Sequence, residues 1–317
     1  MVERKVVGRF APSPSGRLHL GNVLCALLAY LSAKSVGGKA LLRMEDIDTA
    51  RCTPQNIEML IDDLHWLGFQ WDGGEDPADY QSARTALYAQ QLERLREKGL
   101  LYPCYCTRAQ LHAASAPHGS DGMPVYDGRC RKALENGETP PANRAPAWRL
   151  RVPKREIAFL DGLQGAYSER LDTDCGDVLL RRSDGIFAYQ LAVVVDDALT
   201  GVTQVVRGRD LLGSTPRQLY LYELLGFTPP DYYHIPLLLG ADGSRLAKRD
   251  RALDIGALRQ HFSSPQPLVG MLAYNCGILS EYRPISIDEL VPLFRWDTVK
   301  REDIRLCDCG LLSCVQT

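Results

Sequence analysis

Two stretches of the sequence carry residue types suited to a phosphorylated, anionic substrate. The first is Gly16-Arg17-Leu18-His19-Leu20-Gly21-Asn22, where a strand-like segment hands over to a helix-like one. A helix N-terminus presents free N–H groups and a partial positive charge, so a phosphate fits there. Gly21 permits close approach of a ligand, and His19 and Asn22 add side-chain donors. The pattern is neither G-x-G-x-x-G nor a P-loop lysine motif, which disfavours a dehydrogenase or a P-loop ATPase. Alone, the stretch is equally a turn with His19 as a cap. The second stretch, Asp242-Gly243-Ser244-Arg245-Leu246-Ala247-Lys248-Arg249, lies far away in sequence. It is a polar loop whose lysine is able to close over a bound triphosphate.

Charged residues placed for a small zwitterion flank these stretches. Arg9-Phe10-Ala11-Pro12-Ser13 and Arg43-Met44-Glu45-Asp46 follow the first two strand-like segments. In open α/β sheets ligands sit beyond strand C-termini. An amino diacid needs one anionic and two cationic partners. Glu45 suits an ammonium, Arg9 and Arg207 suit two carboxylates in bidentate geometry, and Tyr189 and Ser13 offer hydroxyls. Each arginine in isolation is a solvated surface charge; their place at strand ends beside the two phosphate stretches reverses that.

A third group is Cys104-Tyr105-Cys106 with Cys130, in a segment of little periodicity. Thiolates are preferred ligands of structural zinc, and a metal would stabilise a segment with little core of its own. A fourth ligand is open between His112 and His118. Cys307, Cys309 and Cys314 are expected to belong to an exposed tail, and Cys25, Cys52, Cys175 and Cys276 to be structural. Arg149, Arg151, Lys154 and Arg155 form a basic run expected on a solvated face.

The elements that must position these residues follow from periodicity and breakers. Lys5 to Phe10 and Ala40 to Met44 are strands. Leu20, Val23, Leu24, Leu27, Leu28 and Leu31 recur at helical spacing. Thr53-Pro54 starts a helix that runs to Leu67 and stops at Gly68. Strand, helix, strand, helix in succession is an α/β unit with parallel strands. A third helix is expected from about Ser82 to Lys98, and an irregular insertion from Leu101 to about Arg155. Asp177 to Arg182, a turn at Ser183-Asp184-Gly185, and Ile186 to Val195 are expected as strand, turn and strand. Gln204 to Gly208 is a buried strand and Thr215 to Leu225 a helix ended by Gly226.

With 317 residues, more than one ordinary domain of roughly 100–200 residues is expected. The net charge of −2 excludes binding nucleic acid by bulk charge alone, so such a partner must meet a local patch. No apolar run is long enough for a membrane span, and the start Met1-Val2-Glu3-Arg4-Lys5 lacks the apolar core of a signal peptide. The ten cysteines are therefore expected as reduced thiols in the cytoplasm.

Pro12-x-Pro14-x-Gly16-x-Leu18-His19-x-Gly21-Asn22 resembles the HIGH signature of class I aminoacyl-tRNA synthetases in its glutamyl/glutaminyl form. Arg245-Leu246-Ala247-Lys248-Arg249 resembles the matching KMSKS loop, with Arg245 at the usual first lysine and Ala247 at the usual serine. Val205-Val206-Arg207-Gly208-Arg209-Asp210 extends the resemblance, which runs from about Val6 to Leu258. It implies an α/β fold: a Rossmann-like class I catalytic domain with an inserted zinc-containing module and a short helical C-terminal region. The implied divisions are 1–100 and 177–255 for the catalytic halves, 101–176 for the insertion and 256–317 for a helical remnant.

The resemblance also implies roles. Pro12, Gly16, His19, Gly21 and Asn22 contact ATP from one side, and Arg245, Leu246, Ala247 and Lys248 from the other. His19, Asn22 and Lys248 are the catalytic set, with Mg2+ bridging the triphosphate. Arg9, Ala11, Ser13, Glu45, Tyr189 and Arg207 contact glutamate, with Arg9 and Tyr189 on its side-chain carboxylate and Arg207 on its α-carboxylate. Cys104, Cys106, Tyr126 and Cys130 match the spacing of a zinc site in this family, which makes Tyr126 the fourth ligand of one Zn2+.

After the lysine loop too little chain remains for an anticodon-binding domain. Within the family this implies a member that activates L-glutamate with ATP without tRNA. Such a member transfers the glutamate to queuosine at the wobble position of tRNA(Asp), as a cytoplasmic monomer. Three alternatives stand beside it: a truncated synthetase charging the tRNA 3′ end, a non-catalytic paralogue binding RNA or protein, and a nucleotidylyltransferase of similar fold.

Overall fold

The computed structural model describes residues 5–107, 110, 125–141, 143–240, 243 and 254–306. Its first layer is a parallel sheet of β1 (Val7–Phe10), β2 (Lys39–Leu42), β8 (Gln204–Gly208) and β9 (Asp231–Ile235), in the order β2-β1-β8-β9. Gly8 and Arg9 of β1 lie opposite Ala40 and Leu41 on one side and Gln204 and Val205 on the other. Gly8 to Phe10 of β1 and Gln204 to Arg207 of β8 are buried, as the two inner strands of a covered parallel sheet require.

Helix α1 (Leu20–Lys34) follows β1 through the Pro12–Gly16 turn, where Gly16 takes a φ of 142°. Its leucines are buried in a core shared with α2 (Pro54–Leu67), α7 (Ile255–His261) and α8 (Gln266–Cys276). The ends of α2 match expectation: Thr53 Oγ1 accepts the Asn56 N–H at 3.3 Å, Pro54 opens the helix, and Gly68 closes it at φ 97°. Among the described residues no helix is long and apolar enough to cross a membrane.

A second core gathers α3 (Thr85–Glu97), α5 (Tyr189–Leu199) and α6 (Thr215–Leu225) with an antiparallel sheet. That sheet is formed by β3 (Leu101–Cys104), β4 (Ala147–Leu150) and β7 (Val178–Arg181), ordered β3-β4-β7. A hairpin of β5 (Glu156–Asp161) and β6 (Gly165–Arg170) completes the middle of the chain, and α4 (Arg129–Glu135) packs near β3.

The second strand expected over Ile186 to Val195 is instead helix α5, beyond a single bridge between Arg181 and Phe187. Leu191 through Asp197 are all buried, because α5 is enclosed by α3, α6 and β7. A short apolar run rich in valine has no readable period once every face is covered, and tertiary burial overrides strand propensity there. The basic run is corrected in part: Arg149 is buried at 7 % exposure, whereas Arg155 is exposed and pairs with Glu223 at 2.7 Å.

Candidate active site

The C-terminal ends of β1 and β8 and the N-terminus of α1 enclose a cleft of about 660 Å³. Arg9, Ala11, Pro12, Ser13, Gly16, His19, Gly21, Asn22, Glu45, Tyr189 and Arg207 all line it. Every glutamate and first-signature residue expected from sequence is thus brought to one place. Arg245, Leu246, Ala247 and Lys248 lie outside the described residues, as do His112, His118, Cys307, Cys309 and Cys314. The flanks of that loop reach the site: Leu237 and Leu238 line the cleft, and Asp254 forms an antiparallel bridge with His19.

His19 is the N-cap of α1. Its Nδ1 accepts the Gly21 N–H at 3.1 Å, while Asn22 Oδ1 accepts the His19 N–H at 3.3 Å, a reciprocal capping box. A neutral imidazole that accepts at Nδ1 carries its proton on Nε2. The cap therefore produces a donor as well as a helix end, and the Asn22 amide keeps its N–H groups. These donors and the helix dipole meet in the cleft, where negative charge is favoured.

Arg9 and Glu45 belong to a buried chain of alternating charge that sequence reading missed. Arg9 Nε and Nη2 donate to the two oxygens of Asp197 at 3.1 and 3.4 Å, and Arg9 Nη1 to Val206 O at 3.3 Å. Arg43 Nη1 donates to Asp197, and Arg43 Nη2 to Glu45 Oε1 at 3.2 Å. Burial opposes ionisation of Asp197, yet Arg43 and Arg9 keep its carboxyl below the usual range. For Glu45 burial wins over the same cations, so its pKa is raised. The signal for Asp197 was present as Asp196-Asp197 inside an apolar run, since carboxylates enter a core only with partners. Asp196 turns the other way, accepting from Gln81, Arg84 and Tyr88 at 2.7–2.8 Å.

Behind the cleft, Arg207 rests on His234, which is fully buried and bonded through Nδ1 to Asp161 Oδ2 at 2.6 Å. Burial pushes the His234 pKa down to about 4, with Asp161 pulling it up and Arg207 pushing it further down. The folded value lies below the ordinary 6.5, so as the pH falls the unfolded chain takes up this proton first. Stability from the neutral imidazole is complete above about pH 6.5 and is lost on descending towards pH 4, a swing of order 3 kcal/mol. Asp161, also held low, acts in the same direction. The urea unfolding midpoint is therefore expected to fall steadily from pH 7 to pH 4.5; a flat profile would contradict this arrangement.

The cysteine cluster lies apart from the cleft, at the end of β3. The sulfurs of Cys104, Cys106 and Cys130 lie within 4.8 Å of one another. Tyr126 Oη is 3.5 Å from Cys104 Sγ and 3.6 Å from Cys106 Sγ, and Cys106 and Cys130 are 3.4 Å apart. Donors about 2.3 Å from a tetrahedral zinc would be separated by about 3.7 Å, so this set fits the ion. Arg149 Nε donates to Cys104 Sγ at 3.3 Å, and its guanidinium covers the Tyr126 ring at 3.8 Å. Burial disfavours the Cys104 thiolate, but the Cys106 N–H and Arg149 leave its pKa lowered. Arg149, expected in solvent, is thus the cation beside Cys104 and Tyr126.

Comparison with known proteins defines the class. The family model described as "tRNA synthetases class I (E and Q), catalytic domain" matches residues 5–280. The chain belongs to that family and is a ligase. The glutamyl-Q tRNA(Asp) synthetase of Symbiobacterium thermophilum is 49 % identical, over 94 % of this chain and 95 % of the relative. That of Nitratidesulfovibrio vulgaris is 48 % identical, over 92 % and 93 %. Within the family the chain belongs with the glutamyl-Q tRNA(Asp) synthetases. Among solved structures, a glutamate tRNA ligase of Elizabethkingia meningosepticum, in complex with its amino acid, is similar with a TM-score of 0.78 and 28 % identity. The match covers 98 % of this chain and 68 % of that one. The activity class that follows is glutamate activation and transfer to tRNA, with ATP use typical of the family.

Proposed function

We propose that this enzyme condenses L-glutamate with ATP in the absence of tRNA and then esterifies the glutamate to queuosine at the wobble position of tRNA(Asp). The observation that carries the first half is the convergence of Arg9, Glu45, Tyr189 and Arg207 with the His19 cap in one cleft. Two cations, an anion and a hydroxyl match an amino diacid, and a helix N-terminus matches the α-phosphate beside it. The second half is supported by the names of relatives nearly half identical along almost their whole length.

In this reading Arg207 holds the α-carboxylate, Arg9 and Tyr189 the side-chain carboxylate, and Glu45 the ammonium, with Ala11 and Ser13 beside them. One α-carboxylate oxygen attacks the α-phosphorus of ATP, and the bond to the bridging oxygen breaks so that pyrophosphate leaves with the electron pair. His19 Nε2–H, the Asn22 amide and the α1 N–H groups face the growing charge, with Pro12, Gly16 and Gly21 shaping the nucleotide site. Lys248, with Arg245, Leu246 and Ala247, closes from the opposite side. Catalysis is positioning and charge stabilisation, without a covalent enzyme intermediate. Mg2+ bound to the triphosphate would supply further charge neutralisation there. One Zn2+ on Cys104, Cys106, Tyr126 and Cys130 would staple the insertion, a structural and not a chemical role. The enzyme works as a cytoplasmic monomer.

The test is transfer of labelled glutamate to total tRNA prepared with and without queuosine. Label is expected only on queuosine-containing tRNA, and it should survive periodate oxidation of the 3′ end. Equal label on both preparations, lost after periodate, would instead establish charging of the 3′ end. No label, with normal glutamate-dependent pyrophosphate exchange, would show that the acceptor is wrong while the activation chemistry stands.

A further inference from the structure

Arg207 is held unusually completely. A guanidinium has five N–H donors, and each has a protein partner here. Nε donates to His234 Nε2 at 2.9 Å, Nη1 to Gln218 Oε1 at 2.8 Å and Tyr189 Oη at 3.3 Å, and Nη2 to Thr215 Oγ1 at 2.7 Å and Leu211 O at 3.4 Å. The two long contacts, to Tyr189 and Leu211, are with residues that line the cleft. They are the ones an incoming carboxylate can replace. The short contacts hold the far edge.

The acceptor at Nε exists only in one state of His234. Its Nδ1 faces Asp161 Oδ2 at 2.6 Å, and its backbone N–H reaches both oxygens of the same carboxylate at 3.1 and 3.2 Å. Facing a carboxylate, Nδ1 carries the proton, which leaves the lone pair on Nε2 for Arg207. Asp161 is itself fixed, because Oδ1 also accepts the Leu163 and Gln164 N–H groups at the hairpin tip, at 3.0 and 2.8 Å. Gly162, between them, bonds through N–H to Tyr232 O at 2.8 Å, and a side chain there would overlap the Tyr233 ring.

We propose that Asp161 and His234 are positioning residues for Arg207: Asp161 selects the His234 tautomer, and His234 Nε2 anchors the guanidinium so that its cleft-facing N–H groups meet the carboxylate of glutamate. This rests on the reading of Arg207 as a carboxylate ligand. The β5–β6 hairpin thereby contributes to amino-acid recognition from behind, without touching the substrate.

The test is glutamate-dependent ATP–pyrophosphate exchange on the full chain, with KM measured separately for glutamate and ATP. His234→Phe keeps a ring and removes the acceptor; it should raise the glutamate KM about tenfold or more and leave the ATP KM within about twofold. His234→Gln places an amide oxygen near Nε2 and should recover much of the loss. Asp161→Asn, which no longer dictates the tautomer, should fall between wild type and His234→Phe. If His234→Phe fails to fold, the other two variants carry the same comparison. Equal shifts in both KM values, or His234→Gln no better than His234→Phe, would reduce the pair to packing and overturn the proposal. Arg207→Gln separates the two levels of inference. If it raises the glutamate KM while the His234 and Asp161 variants do not, only the positioning role falls. If it leaves the glutamate KM unchanged, the carboxylate reading of Arg207 falls and takes the positioning role with it.

Discussion

Replacing Asp197 with alanine is expected to lower folding stability by roughly 3–5 kcal/mol and to abolish glutamate-dependent pyrophosphate exchange. The carboxylate is 2 % exposed and joins two arginines that are themselves almost fully buried, Arg9 and Arg43. Removing it leaves two like charges facing one another in a region of low polarisability. Each loses its principal counter-charge, and Arg43 Nε is already without a hydrogen-bond partner among the described residues. The chain has two ways to relieve this: admit water to the cleft floor, or swing Arg43 fully onto Glu45. Either route displaces Arg9 and Glu45, the residues proposed to read the side-chain carboxylate and ammonium of glutamate. Asp197→Asn keeps the shape and one acceptor but turns an amide N–H towards an arginine. It should fold better than the alanine variant and still bind glutamate poorly. Denaturant unfolding followed by exchange kinetics on both variants checks this. Wild-type stability and glutamate KM in Asp197→Ala would show that the charge chain holds nothing in place.

Removing metal from the insertion is expected to have a comparably large but separate effect. The protein as purified should carry one zinc per chain, and a strong chelator should remove it with uptake of protons by the vacated donors. Structural zinc in small isolated domains supplies about 10–16 kcal/mol of apparent folding free energy. Here the loss will be smaller, because β3 pairs with β4 and β4 with β7, and β3 also packs against α3. The expected signature is local: proteolytic cleavage within 125–141, with the core of α1, α2 and α8 still folded. Cys106→Ser should release the ion at much lower chelator concentration than wild type. Tyr126→Phe, which removes only the hardest donor, should retain it more weakly. Because the cluster lies away from the cleft, glutamate activation by the zinc-depleted protein, assayed after the chelator is removed and Mg2+ restored, should survive better than transfer to tRNA. A metal-free protein with unchanged proteolysis in chelator would end the zinc reading.

Much of this was legible from residues in order along the chain, and the reason is local. The ends of α2 were readable because Thr53, Pro54 and Gly68 each satisfy a requirement of the helix terminus that does not depend on the rest of the fold. The helix start proposed to face phosphate was readable because His19, Gly21 and Asn22 sit within its first turn. The cysteine group was readable because Cys104 and Cys106 are nearly adjacent.

Tertiary structure decided the rest. Whether Ile186 to Val195 is strand or helix depended on what surrounds it, since a segment buried on every side keeps no period to read. The partners of Arg9 lie 188 residues away in Asp197, and those of Arg207 come from β9, α5 and α6. Arg149 carries the same side chain as the exposed Arg155 of the basic run, and only the fold places it against Cys104 and Tyr126. A sequence states which groups carry charge and which cap a helix, because those are properties of a residue and its near neighbours. Which buried charge meets which, and hence which tautomer His234 adopts and which edge of Arg207 faces the cleft, are properties of long-range packing, and they exist only once the chain has closed on itself.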